Sequence, residues 1–210
     1  MLSDLLNISN PSLGSKEVNL VKLKAYLFSF GIEDESYIEL IRLRNGFLAF
    51  ESALTVYPYD NKEDMNLEEW NELRVWKENY SFINKPFICF AQDIFGFQFC
   101  LTEEGIEIFD PETGEFEYLT DNIESWVNLL LKDYECLTGF TIAHEWQRMY
   151  GKIGSSTTRL AAKIPFILGG KYELSNLYMD DVYRITDFRS NLARQIYGLE
   201  DGQAINIKIL

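Results

Sequence analysis

Histidine occurs once, at His144, and that scarcity removes several kinds of chemistry at the outset. A zinc-protease helix needs a second histidine where this chain has Arg148, and a multi-histidine metal site has no ligands to draw on. Cysteine is almost as rare. Cys89, Cys100 and Cys136 are odd in number and show no Cys-x-x-Cys spacing, so they read as small buried hydrophobes in a reducing compartment. No stretch reaches the roughly 18 apolar residues of a membrane helix. The opening MLSDLLNISNPSLG lacks the cationic start and apolar run of a secretion signal. These absences predict a cytoplasmic protein with no membrane partner. Phosphate-loop spacing is missing too: Gly151-Lys152-Ile153-Gly154 lacks the order the motif needs, and Gly169-Gly170-Lys171 lacks a third glycine. No cofactor and no metal site is expected.

Positive charge is the other shortage. The formal net charge is −14 and the isoelectric point is near 4.5. Such a surface repels DNA, RNA and anionic membranes and favours a basic protein partner. The shortage is complete between Pro86 and Leu131, where ten acidic residues face no lysine or arginine. Among these, Glu103, Glu104, Glu107, Asp110, Glu112, Glu115 and Glu117 fall at turns or alternating strand positions, and are the candidate partner-binding residues. The bland alternative is a solvated sheet edge that discourages aggregation. A catalytic carboxylate would have to be buried with a raised pKa, and outward positions in water would keep these ordinary, so no enzyme activity is expected.

The elements that are present alternate in period. Leu20, Leu23, Leu27 and Phe30 recur at helical intervals and stop at Gly31. A second helix starts near Ser36 and ends at Asn45-Gly46, and FLAF and ALTVYPY follow as strands. Asn66 to Tyr80 reads as a third helix capped by Asn66, with Trp70, Leu73 and Trp76 inward. From Phe87 the chain reads as four short strands joined by tight turns, with Phe95, Phe97 and Phe99 on one face of a strand. Asp121 is placed as the cap of a helix carrying Ile123, Trp126, Val127 and Leu130 across that face. A further helical stretch holds Trp146 and Met149. After the loop-like GKIGSSTT come a helix from Asp181 to Tyr197 and an Ile205-Ile207-Ile209 strand. The fold class is α+β, an antiparallel sheet of hairpins packed against several helices.

This order of elements resembles the SUKH superfamily, which includes the yeast Smi/Knr cell-wall regulators and many bacterial immunity proteins. The residues that carry the resemblance are Asn45-Gly46, the aromatic hairpin from Phe95 to Phe99, the Glu-rich turn with Gly105, and Asp121 leading to Trp126. Pro165 to Tyr172, Asn176-Leu177, Ala193-Arg194-Gln195-Ile196 and Asp201-Gly202 are similar to the end of longer bacterial members. The resemblance implies a single SUKH-like domain over residues 1–210, with a core at about 17–133 and a C-terminal extension at about 134–210. It implies a cytoplasmic immunity protein that binds and neutralises a cognate toxin, a nuclease foremost, without catalysis. The alternative it carries is a Smi/Knr-type regulatory or scaffolding module. No catalytic residue comes with it, and no oligomeric state.

Overall fold

The computed structural model describes residues 1–60, 65–200 and 202–203. Its centre is a six-stranded antiparallel sheet in which every strand pairs with its neighbour in sequence, β1 (Phe47–Ala49), β2 (Leu54–Val56), β3 (Ile88–Gln92), β4 (Gln98–Thr102), β5 (Gly105–Asp110) and β6 (Glu115–Thr120). The four strands expected after Phe87 are all there, and the fold is α+β.

Side-chain alternation sends the two sets of strand residues to opposite faces. On one face Phe90 and Phe99 meet the edge of Trp126, held by α5 (Ile123–Thr138), and Phe90 also meets Tyr37 from α3 (Glu35–Leu43). On the other face Phe87, Phe109 and Phe116 form an aromatic cluster with Trp76 and Tyr80. The short α4 (Leu67–Trp70), a 3-10 turn at Lys77–Tyr80 and α7 (Val182–Ile196) cover that side. Trp70 is fully buried there, where its indole N–H donates to Gln98 Oε1 at 2.9 Å and Tyr57 donates to the same oxygen at 2.6 Å. A buried polar position on the central strand is thereby satisfied from two sides.

Several local expectations shift. The first helix of the chain is α1 (Leu2–Ile8), which seats Leu5 in the core, so the core begins before residue 17. Helix α2 (Leu20–Phe28) follows as expected and Gly31 takes a positive φ of 74° after it. The expected helix over Asn66–Tyr80 is broken. Asn66 does cap it, accepting from Glu69 N, but the helix lasts one turn and leaves Leu73 68% exposed. Asn71 causes the break: its side chain accepts from Cys89 N and donates to Cys89 O, each at 2.8 Å, and so serves as a strand partner for β3. Phe95 and Phe97 are not on a strand with Phe99. They occupy a turn in which Asp93 Oδ1 accepts from both their amides at 2.9 and 2.8 Å. The cap of α5 is Asn122, whose side chain accepts from Ser125 N, and not Asp121. Cys89 and Cys100 are buried, but Cys136 is exposed. Met149 is likewise 65% exposed.

Residues beyond 134 do not stand apart from the sheet. Helix α6 (Phe140–Tyr150) and the two-stranded pair β7 (Thr158–Ala162) and β8 (Leu177–Asp181) build a second core around Trp146, Leu160 and Phe95. Helix α7 then returns to the first core through Val182 and Ala193, and Tyr183 packs edge-on against Trp70. The expected Ile205-Ile207-Ile209 strand lies outside the described residues.

Candidate functional site

The seven candidate carboxylates do not form one face. Glu107 is buried, and Lys85 Nζ donates to its Oε2 and Oε1 at 2.6 and 2.7 Å while sitting 4.1 Å over the Phe116 ring. Glu112 is 2% exposed: Oε1 pairs with Arg189 Nε at 3.4 Å, and Oε2 accepts from the Ile167 amide at 2.9 Å. Asp110 is half-buried and closes the β5–β6 turn by accepting from Glu112 N at 2.7 Å. Burial raises its pKa to about 6. Glu107 and Glu112 therefore hold the fold together and are withdrawn from any partner surface, and Asp110 is engaged in its own turn. Glu115 and Glu117 are exposed two residues apart on β6, on the sheet face shared with Ile108 and Phe99, Glu115 beside the β5–β6 turn. Glu103 and Glu104 are exposed in the β4–β5 turn, at the other end of the strands.

That other end is where negative charge does collect. An open cleft of about 600 Å³ is lined by Glu33, Asp34, Glu35, Glu103, Asp121 and Glu124, with no lysine, arginine or histidine among its lining residues. Three segments supply them: the loop into α3, the β4–β5 turn and the start of α5. One carboxylate organises the meeting. Asp34 Oδ1 caps α3 by accepting from Tyr37 N at 3.0 Å, and Oδ2 accepts from Ile123 N, the first amide of α5, at 3.3 Å. Two helix N-termini thus share one anion, which suits the partial positive charge of each. Gly105 holds the turn close. At φ 126° a Cβ there would stand 2.5 Å from Thr120 O. Lys24 is the nearby cation, and Glu35 takes it at 2.6 Å. Glu33, Glu103, Glu104 and Glu124 stay exposed.

No protein-family model and no curated protein matches the chain. Similarity to a solved structure is clear at the level of fold. The crystal structure of Atu4351 from Agrobacterium tumefaciens superposes with a TM-score of 0.55 over 90% of this chain and 88% of that one, at 14% identity. No helix among the described residues is long and apolar enough to cross a membrane.

The functionally suggestive residues that sequence reading passed over are Asp93, Arg159 and Arg189. All three are buried between the main sheet and the second core. Arg189 donates to Phe95 O, and Arg159 donates to Thr55 Oγ1. With its oxygen turned toward the guanidinium, the Gln92 amide accepts from Arg159 Nη2 at 3.0 Å and Nε at 3.2 Å. Burial lowers the Arg159 pKa to about 10 and raises that of Asp93 to about 7, the latter against the pull of the two turn amides and the nearby guanidinium groups. One signal was available: Arg189 sits on the same helical stripe as Val182, Ile185, Leu192 and Ala193, so the period points its stem inward. Among the described residues no group of three or more His, Cys, Asp or Glu side chains is placed to hold a metal ion.

Proposed function

We propose that this chain is a non-catalytic protein-binding module that receives a basic partner at the acidic end of its sheet. The observation behind this is the cleft bounded by Glu33, Asp34, Glu35, Glu103, Asp121 and Glu124, whose lining holds no lysine, arginine or histidine and of whose carboxylates only Glu35 is paired among the described residues, with Lys24 outside it. A rigid anionic concavity raises the encounter rate with a cationic surface and disfavours wrong partners. Together with the SUKH resemblance, this supports an immunity protein that works in the cytoplasm and neutralises a cognate toxin. A nuclease fits best, because its substrate groove must be cationic to hold phosphate.

The test is co-expression with the toxin encoded beside the gene. Protection is expected from the parent chain and from Glu115→Lys/Glu117→Lys, and its loss from Glu33→Lys/Glu103→Lys/Glu104→Lys/Glu124→Lys. Full protection by the fourfold variant would remove the acidic end from the reading. Toxicity undiminished by the parent chain would remove the immunity role, leaving a Smi/Knr-type regulator as the reading to pursue.

A further inference from the structure

A second concavity lies elsewhere, under the bend of α5. Helix α5 covers the sheet with Trp126 and Leu130, then leaves helical geometry at Asp133 (φ −143°, ψ 50°). Asp133 starts a fresh helical segment there, its Oδ1 accepting from Cys136 N at 3.4 Å. Glu135, Cys136 and Leu137 of that segment, with Thr141 and Ile142 of α6, form one wall of a cleft of about 560 Å³. Phe97, Phe99, Ile108, Glu117 and Leu119 of the sheet side form the other, and Phe95, Tyr172 and Asp93 complete the lining. Tyr172 stacks on Phe166 at 3.8 Å and meets Phe95 edge-on at 5.2 Å, so the aromatic side is fixed by its own packing. Gly139 admits this arrangement: a Cβ there would stand 2.4 Å from the Phe95 ring.

The polar groups of the cleft all have one sign. Glu117 and Glu135 are exposed at it, and its lining holds no lysine, arginine or histidine. Asp93 is 7% exposed, and both turn amides bond to its Oδ1. The volume falls in the range of small-ligand sites, roughly 300–1,000 Å³. Aromatic faces attract nitrogen cations, and the more so where water is excluded.

We propose that this cleft binds a small apolar ammonium ion, an aryl or branched alkyl body ended by one protonated nitrogen. The body lies against Phe97, Phe99 and Ile108, and the nitrogen is held by Glu117 and Glu135 at the rim. This site is separate from the acidic end and stands whether or not that end binds a protein.

The experiment is an NMR titration of the intact chain with phenethylammonium, phenethyl alcohol and 3-phenylpropionate at one pH and ionic strength. Saturable shifts at the amides of Phe97, Gly139, Thr141 and Tyr172 are expected, in the order ammonium, alcohol, carboxylate. Glu117→Gln/Glu135→Gln, which alters only exposed side chains, is expected to weaken the ammonium about tenfold and leave the alcohol unchanged. Equal affinity for ammonium and alcohol overturns the proposal. So does the absence of saturable ammonium binding, or shifts centred on Gly105 and Asn122 at the acidic end.

Discussion

Glu112 and Arg189 face each other 3.4 Å apart, with 2% and 3% of their side chains exposed, so a residue that reads as surface charge is half of a buried ion pair. Arg189 comes from α7 and Glu112 from the β5–β6 turn, and the Ile167 amide takes the second Glu112 oxygen. The pair is therefore a cross-tie between the main sheet and the last third of the chain. Deleting one partner strands a desolvated charge. Glu112→Ala or Arg189→Ala is expected to cost about 3–5 kcal/mol, and Glu112→Gln/Arg189→Met appreciably less than either. Urea unfolding measures all three, and a Glu112→Ala variant as stable as the parent would contradict the assignment.

How much of this was legible beforehand follows from what each signal measures. The antiparallel hairpins of the central stretch, the helix periods at Leu20–Phe28 and Val182–Ile196, and the Asn66 cap were readable because local pattern alone decides them. The acidic stretch misled because charge was counted along the chain. Lys85 and Arg189 both lie outside Pro86–Leu131 in sequence and return to it in space. The broken helix after Trp70 was hidden for a similar reason, since Asn71 gives up its place in a helix to bond Cys89 across the fold. The acidic end draws on three segments, of which only Glu103, Glu104, Asp121 and Glu124 belonged to the stretch.

Asp93 makes stability depend on pH in an unusual direction for a carboxylate. Its folded pKa, about 7, lies above the ordinary value, so the folded state holds a proton that the unfolded chain releases. Its contribution is fully present below about pH 4 and is lost as pH rises through 7. Asp110, raised to about 6, acts with the same sign. Asp93→Asn keeps an oxygen for the Phe95 and Phe97 amides. That variant is expected to flatten the fall in melting temperature between pH 4 and 8 relative to the parent. Parallel profiles for the two proteins would contradict a buried, proton-holding Asp93.

Asp34 caps two helices at once, so its removal is expected to cost more than one cap. Asp34→Ala should lose about 2 kcal/mol, roughly twice the usual figure, and Asp34→Asn, which keeps one acceptor oxygen but turns a donor toward the other amide, about half of that or more. A chemical denaturation series decides it, and an Asp34→Ala loss of only about 1 kcal/mol would mean that the bond to Ile123 N contributes nothing.

Gly46 and Gly151 separate backbone strain from steric clash. Both have positive φ, 67° and 106°, but a Cβ on Gly46 would lie 2.4 Å from Pro58 N, whereas nothing stands within 4 Å of one on Gly151. Gly46→Ala is expected to destabilise by more than Gly151→Ala, which should cost about 1 kcal/mol. Thermal unfolding of the two variants side by side tests the order.

Thiol reagents should distinguish the cysteines. Cys136 is exposed on the α5 bend and should react within minutes under native conditions, with Cys89 and Cys100 reacting only after denaturant is added. A count of three fast thiols would place β3 and β4 closer to solvent than described.

The meander of the main sheet bears on how the chain reaches this state. Every strand is laid beside the one synthesised just before it, and apart from the long connection between β2 and β3 the sheet assembles from short loop closures with a low entropic penalty. The ties made by α7 span a much longer separation and on that ground are expected to form late. Weakening them should therefore quicken unfolding and leave the refolding rate nearly untouched, which makes the end of the chain the latch on the lifetime of the native state.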